Sequence, residues 1–283
     1  MIQHRLILFL VVLLPAASGC ASLKKFFGPK NPLPPVVNLQ ENVTLEQVLT
    51  MLNRNSMAIR NMTTEDATLR IPDVAFPLRT NMTFERPKRL RIRGSASALS
   101  GQELDFGSND VLFWLWARRP EPKELYYCRH DQFATSPVRQ TLPIDPDWIL
   151  EALGIVEFRP DEQHEGPFPL EGNQLLVITR RQTATGQFTK KTTIDAKTSC
   201  ILRQEMYSPQ NVLIAQAVSS DHRHDKTTGV LYARRVEVQC QGTQGTLTID
   251  LGNPTFNTLT PISIGLFTMP TFDGYRPVDL AAN

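Results

Sequence analysis

Two short runs hold the residue types that could do chemistry. His222-Arg223-His224-Asp225 spaces two imidazoles by one residue, which on a strand puts both on one face and could begin a zinc site. Cys128-Arg129-His130-Asp131 offers a thiol, an imidazole and a carboxylate, the parts of a nucleophilic centre. Neither run completes one. Neighbours along a strand point to opposite faces, so Cys128 reads as a core residue or a disulfide partner. Ser219-Ser220-Asp221 before the histidines and Lys226-Thr227-Thr228-Gly229 after them have the composition of a hairpin loop, which predicts solvated imidazoles. Gly-rich phosphate loops, H-E-x-x-H and G-x-S-x-G are absent from the sequence. The chain therefore reads as a non-enzyme with no metal and no cofactor. Its net charge of +2, with acids and bases interspersed, leaves no basic footprint for nucleic acid.

The chemistry left is apolar, and it concentrates between Phe84 and Trp116. Leu90, Ile92, Gly94 and Ala96 alternate with Arg89, Arg91, Arg93 and Ser95, the period of a strand with one wet, basic face and one dry face. Gln102 to Phe106 reads as a shorter strand, the run 107–110 as a turn, and Val111 to Ala117 as a third strand. In that strand Leu112, Trp114 and Trp116 alternate with Phe113 and Leu115, so both faces are apolar and both must be covered. A container follows as the first expectation, with Leu90, Ile92, Phe106, Leu112, Trp114 and Trp116 lining its cavity or lid. A filled hydrophobic core is the alternative for the same six residues.

Other elements must hold that stretch in place. Thr44 with Gln47 three positions on is a capping box, Val43 can staple against Val48, and Leu45, Val48, Leu49 and Leu52 make one helical face. The spacing predicts a helix of about 14 residues laid on a sheet. Asp145-Pro146-Asp147 predicts a second helix start, with Trp148, Ile149, Ala152 and Leu153 as its stripe and Gly154 as its end. Pro160 to Gly172 reads as an exposed loop. Strands are expected before the opening stretch at 67–71 and 80–85, then at 125–129, and as a meander through 174–251. The fold class is mainly β (α+β): an unclosed antiparallel β-barrel or strongly curved sheet of about 11–12 strands, with helices plugging the open side.

The N-terminus predicts where the chain works. His4-Arg5, the apolar run Leu6 to Leu14 and the small residues that follow form a signal peptide over 1–19, too short for a spanning helix of roughly 20 residues. Ala17-Ser18-Gly19-Cys20 resembles the bacterial lipobox, with Ala17 where leucine is commonest. That resemblance implies that Cys20 carries a lipid anchor, and Ala21-Ser22 after it point to the outer membrane. Residues 20–40, rich in proline, read as an extended tether. Residues 41–283 are expected to form a single domain. An oxidising compartment permits one disulfide among Cys128, Cys200 and Cys240, with three possible pairs.

Phe84-Glu85-Arg86-Pro87-Lys88-Arg89-Leu90-Arg91 resembles the F-x-x-P-x-x-L-R run of the periplasmic lipoprotein carrier and outer-membrane lipoprotein receptor family, LolA and LolB. Leu104-Asp105-Phe106, with Ser108 to Leu115, is similar to that family's next strand pair, and Thr193-Ile194-Asp195 to Leu202-Arg203-Gln204-Glu205 to a later hairpin. The resemblance runs over about 44–252 by order of elements; the mid-chain loop and the Pro-rich end from Pro254 onward depart from it and do not align. It implies an unclosed barrel plugged by helices around an apolar cavity. It further implies a lipid-anchored envelope protein, facing the periplasm, that acts in lipoprotein or lipid transfer. The implied partners are the membrane through Cys20, the acyl chains of lipoproteins or phospholipids, and a periplasmic carrier protein. Two other readings stay open: a structural, scaffolding lipoprotein that binds proteins and no lipid, and a hydrolase that uses His130 or His222.

Overall fold

The computed structural model describes residues 31–39, 42–72, 74–97, 100–118, 121–133, 135–136, 147–183, 186–241, 245–260 and 263–282. Cys20, the signal segment, most of the tether, and Asp145 and Pro146 of the second helix start lie outside them, as do turn residues Ala184, Thr185, Gly242 and Thr243. All described residues fall in one compact unit, Asn31–Asn283.

Helix α1 (Leu45–Ala58) begins at Thr44, whose hydroxyl accepts from the Gln47 amide while the Gln47 side chain accepts from the Thr44 amide. The chain then enters strands β1 (Asn61–Arg70), β2 (Leu78–Glu85), β3 (Arg89–Ser95), β4 (Leu104–Ser108), β5 (Leu112–Ala117) and β6 (Glu124–Arg129). A single helical turn, α2 (His130–Phe133), and the short helix α3 (Trp148–Ala152) interrupt them. Strands β7 (Gln163–Leu170), β8 (Gln174–Thr183), β9 (Gly186–Asp195), β10 (Ile201–Tyr207), β11 (Leu213–His224), β12 (Leu231–Cys240) and β13 (Leu247–Asp250) follow. After them come β14 (Thr255–Phe256), a 3-10 turn (Ser263–Phe267) and β15 (Arg276–Asp279).

The strands form one open sheet in the order β15-β6-β5-β4-β3-β2-β1-β13-β12-β11-β10-β9-β8-β7, with β14 beside β1. Every pairing is antiparallel except β15 with β6. The sheet curls, because side chains from β1 to β4 and from β11 to β14 meet α3 in one core. The fold is thus mainly β, an unclosed curved sheet with few helices, as the alternation predicted. The described residues form 15 strands, more than the 11–12 expected.

The extra strands come from segments whose composition hid them. The 160–172 stretch is not a free loop; β7 within it is the edge strand that pairs with β8. Pro167 and Pro169 are tolerated there because an edge strand need not donate on its outer side. The proline-rich end contributes β14 and β15 by pairing with β1 and β6. The tether's last part, 31–39, is pinned by backbone bonds from Val37 and Asn38 to the Lys197 carbonyl and from Leu39 to that of Ala196. His222 and His224 belong to β11 rather than to a loop. The turn starts at Asp225, whose carboxylate accepts from the Thr227 and Thr228 amides, and closes at Gly229 with φ +77°.

Candidate functional site

The concave face of the sheet is the candidate site, and register decides which side chains reach it. Ile92 lies opposite Phe106, Phe106 opposite Leu115, and Leu115 opposite Tyr126. This ladder continues the face on which Leu90 and Ile92 are buried. Phe106 and Tyr126 are half-buried and Leu115 is 42% exposed, so the concave surface is open at this ladder; two residues along the strands Phe113 and Cys128, on the same face, are buried with Phe133.

Farther along, the same face is covered. Trp148, Leu150, Leu153 and Ile155, from α3 and the residues after it, pack into the core lined by Met82, Phe84, Val236 and Ile249. Val48 and Leu52 of α1 join Val156, Phe158, Val177 and Ile194 in a second cluster. Two asparagines of α1 fasten these parts. Asn53 donates to the Phe158 carbonyl and accepts from its amide, and Asn55 does the same with Leu231. The cleft between Leu52, Leu153, Phe158, Cys200 and Tyr232 has room for about 30 Å³, one water molecule's worth.

Polar side chains also hold α3 on the sheet. Glu151 receives Lys190 at 2.7 Å and Arg181 at 3.0 Å, and Arg181 reaches Glu162 at 2.6 Å. Gln204, fully buried on β10, donates to the Glu151 carbonyl. Burial by itself would raise the Glu151 carboxyl; the Lys190 and Arg181 charges outweigh it and hold the group at about 2. Burial opposes the Arg181 charge too, and Glu151 and Glu162 more than restore it.

The six residues expected at the cavity divide between two faces. Leu90, Ile92 and Phe106 are on the concave side. Leu112, Trp114 and Trp116 are on the convex side with Leu125 and Tyr127, beneath Met269, Phe272 and Tyr275 of the C-terminal segment. Trp116 stacks on Phe272 at 3.9 Å, and the Trp114 indole N–H donates to Asp105 at 2.9 Å. Gly107 sets this orientation: it lies opposite Trp114, and a Cβ there would fall inside the indole ring. Leu115 and Tyr126 are the site residues that sequence reasoning passed over. The available signal was the glycine at 107 facing a tryptophan.

Two of the candidate chemical groups, His222 and His130, are held by hydrogen bonds. His222 Nε2 lies 2.8 Å from the Ile201 carbonyl, and burial pushes its pKa down. His130 Nε2 lies 3.2 Å from Ser108 Oγ and 2.9 Å from the Asn109 carbonyl. A carbonyl only accepts, so this nitrogen carries a proton in that contact and is no base for Ser108. No disulfide joins Cys128, Cys200 and Cys240. Burial raises all three thiols, Cys200 to about 11. Among the described residues no three His, Cys, Asp or Glu side chains gather into a metal site, and no helix is long and apolar enough to cross a membrane.

No family model matches the sequence, and no curated protein does. Solved structures match by shape. A putative outer membrane lipoprotein-sorting protein domain from Vibrio parahaemolyticus aligns over 78% of this chain and 97% of its own, with 10% identity and a TM-score of 0.50. A DUF1329 family protein from Desulfovibrio piger aligns over 79% and 99%, with 12% identity and a TM-score of 0.52. A LolA superfamily protein from Nitrosomonas europaea aligns over 78% and 97%, with 12% identity and a TM-score of 0.46. The chain is thus similar in fold to the lipoprotein-sorting domain and to the DUF1329 protein; at these identities the likeness is one of fold.

Proposed function

We propose that this chain is a non-enzymatic envelope protein, anchored by a lipid on Cys20, whose open half-barrel takes up acyl chains of lipoproteins or phospholipids for transfer at the outer membrane. The observation that carries the reading is the Phe106–Leu115–Tyr126 ladder, an apolar surface left open beside a covered apolar core. Likeness in fold to a lipoprotein-sorting domain supports it. An acyl chain would start on this ladder and extend over Ile92 and Leu90 as α3 lifts. Each CH₂ leaving water contributes about 0.8 kcal/mol, so release needs a membrane or a carrier protein that offers an equal refuge. The close packing beneath α3 favours the second reading, a scaffolding lipoprotein with no lipid ligand.

Lipid mass spectrometry of protein purified from its own membrane, together with titration of a fluorescent fatty acid, separates the two. Transfer predicts co-purifying acyl lipid, and about tenfold weaker probe binding in Leu115→Asp with unchanged melting, because that side chain is already partly in water. Lipid-free protein whose probe affinity ignores Leu115→Asp and Phe106→Asp would leave the scaffold reading.

A further inference from the structure

The convex face of β2 and β3 carries four arginines in two different situations. Arg89 is paired with Glu85 and Asp110, and Arg91 with Asp105. Arg79 and Arg93 have no ion pair and no side-chain hydrogen bond among the described residues. Register sets Arg79 opposite Ser95 and Asn81 opposite Arg93, so the two guanidinium-bearing positions occupy diagonal corners of a patch whose other corners are neutral donors. Asp105, the register neighbour of Arg93 on β4, does not serve it: both of its oxygens are taken, by Arg91, Gln102 and Trp114. A cleft of about 330 Å³ opens over the patch, walled by Ser97, Gln102 and, from the bulge in β1, Glu65. Glu65 has no ion pair among the described residues either.

Two guanidiniums and one carboxylate thus line one cleft without forming an ion pair among the described residues. The two arginines are diagonal neighbours on adjacent strands, a separation that long side chains can bridge towards one ligand, and bulges of this kind recur beside functional sites. We propose that the cleft binds a phosphate ester that carries an ammonium group, of the phosphoethanolamine type. Arg79 and Arg93 donate to the phosphate oxygens, Asn81 and Ser95 add neutral donors, and Glu65 receives the ammonium. The site is on the opposite face from the acyl-binding ladder, so its fate is independent of that reading.

Titration of the full chain at low salt with O-phosphoethanolamine and with inorganic phosphate, followed by calorimetry or amide shifts, tests it. Phosphoethanolamine should bind about fivefold tighter than phosphate, Arg79→Ala and Arg93→Ala should each weaken both about tenfold, and Glu65→Gln should abolish only the preference. An Arg79→Ala/Arg93→Ala chain that binds like its parent, or a Glu65→Gln chain that keeps the preference, would overturn the assignment. Co-sedimentation with phosphatidylcholine vesicles, with and without phosphatidylethanolamine, identifies the source. A gain for phosphatidylethanolamine that the double arginine variant lacks means a lipid headgroup; no gain, with the free ester bound, means a soluble ester.

Discussion

Replacing Glu151 by glutamine should unlatch α3 in a way that acid reproduces. The carboxylate is held at about 2 against an ordinary 4.5, and a difference of that size corresponds to about 3 kcal/mol. The neighbours locate the loss. Arg181 keeps Glu162 as a partner, whereas the Lys190 ammonium, only 3% exposed, would be left with the Phe158 ring at 5.2 Å. Removing one partner of a buried pair typically costs about 3–5 kcal/mol, in line with the first figure. The sign follows from linkage. A carboxylate lowered in the folded state contributes its full stability above 4.5, and that contribution fades as pH falls from 4.5 towards 2. Urea unfolding, followed by tryptophan fluorescence and far-UV dichroism, should show the variant about 3 kcal/mol less stable at pH 7, with the gap to the parent narrowing by pH 3. Adding Lys190→Met should recover part of the loss, because it removes the stranded charge. A Glu151→Gln protein as stable as its parent at pH 7, or a deficit that is constant between pH 6 and pH 3, would refute the latch.

Two further substitutions probe the convex side. Asp105 is fully buried and accepts from Arg91, Gln102 and Trp114, while Arg91 also donates to the Leu266 carbonyl. Asp105→Asn should therefore cost about 3–5 kcal/mol and speed proteolytic cleavage within 263–282, read by mass spectrometry of the fragments. Gly107→Ala drives a methyl into the Trp114 ring and should cost about 1–3 kcal/mol by overpacking; an unchanged urea midpoint would mean that the indole is not where register puts it.

What was legible in the chain was local. The α1 start rests on Thr44 and Gln47, three residues apart, and both partners of the capping box could be seen together. The wet and dry faces of β3 follow from alternation within seven residues. The candidate site was only half legible, because β5 is apolar on both faces and its own residues do not say which face turns inward. That choice belongs to Gly107 on the neighbouring strand and to Phe272 and Tyr275, more than 150 residues away, which cover Trp116. Prolines at 167 and 169 concealed β7, since an edge position excuses them and composition does not report edges.

The sequence by itself determined the class of fold: a mainly β chain with a capped helix and an apolar strand cluster, because periodicity and capping are properties of near neighbours. Only the tertiary structure decided which apolar face is open at the Phe106–Leu115–Tyr126 ladder, that Glu151 finds Lys190 and Arg181, and that Arg79 and Arg93 form no ion pair among the described residues. Burial and charge pairing depend on distances between residues far apart in the chain, and strand order sets those distances.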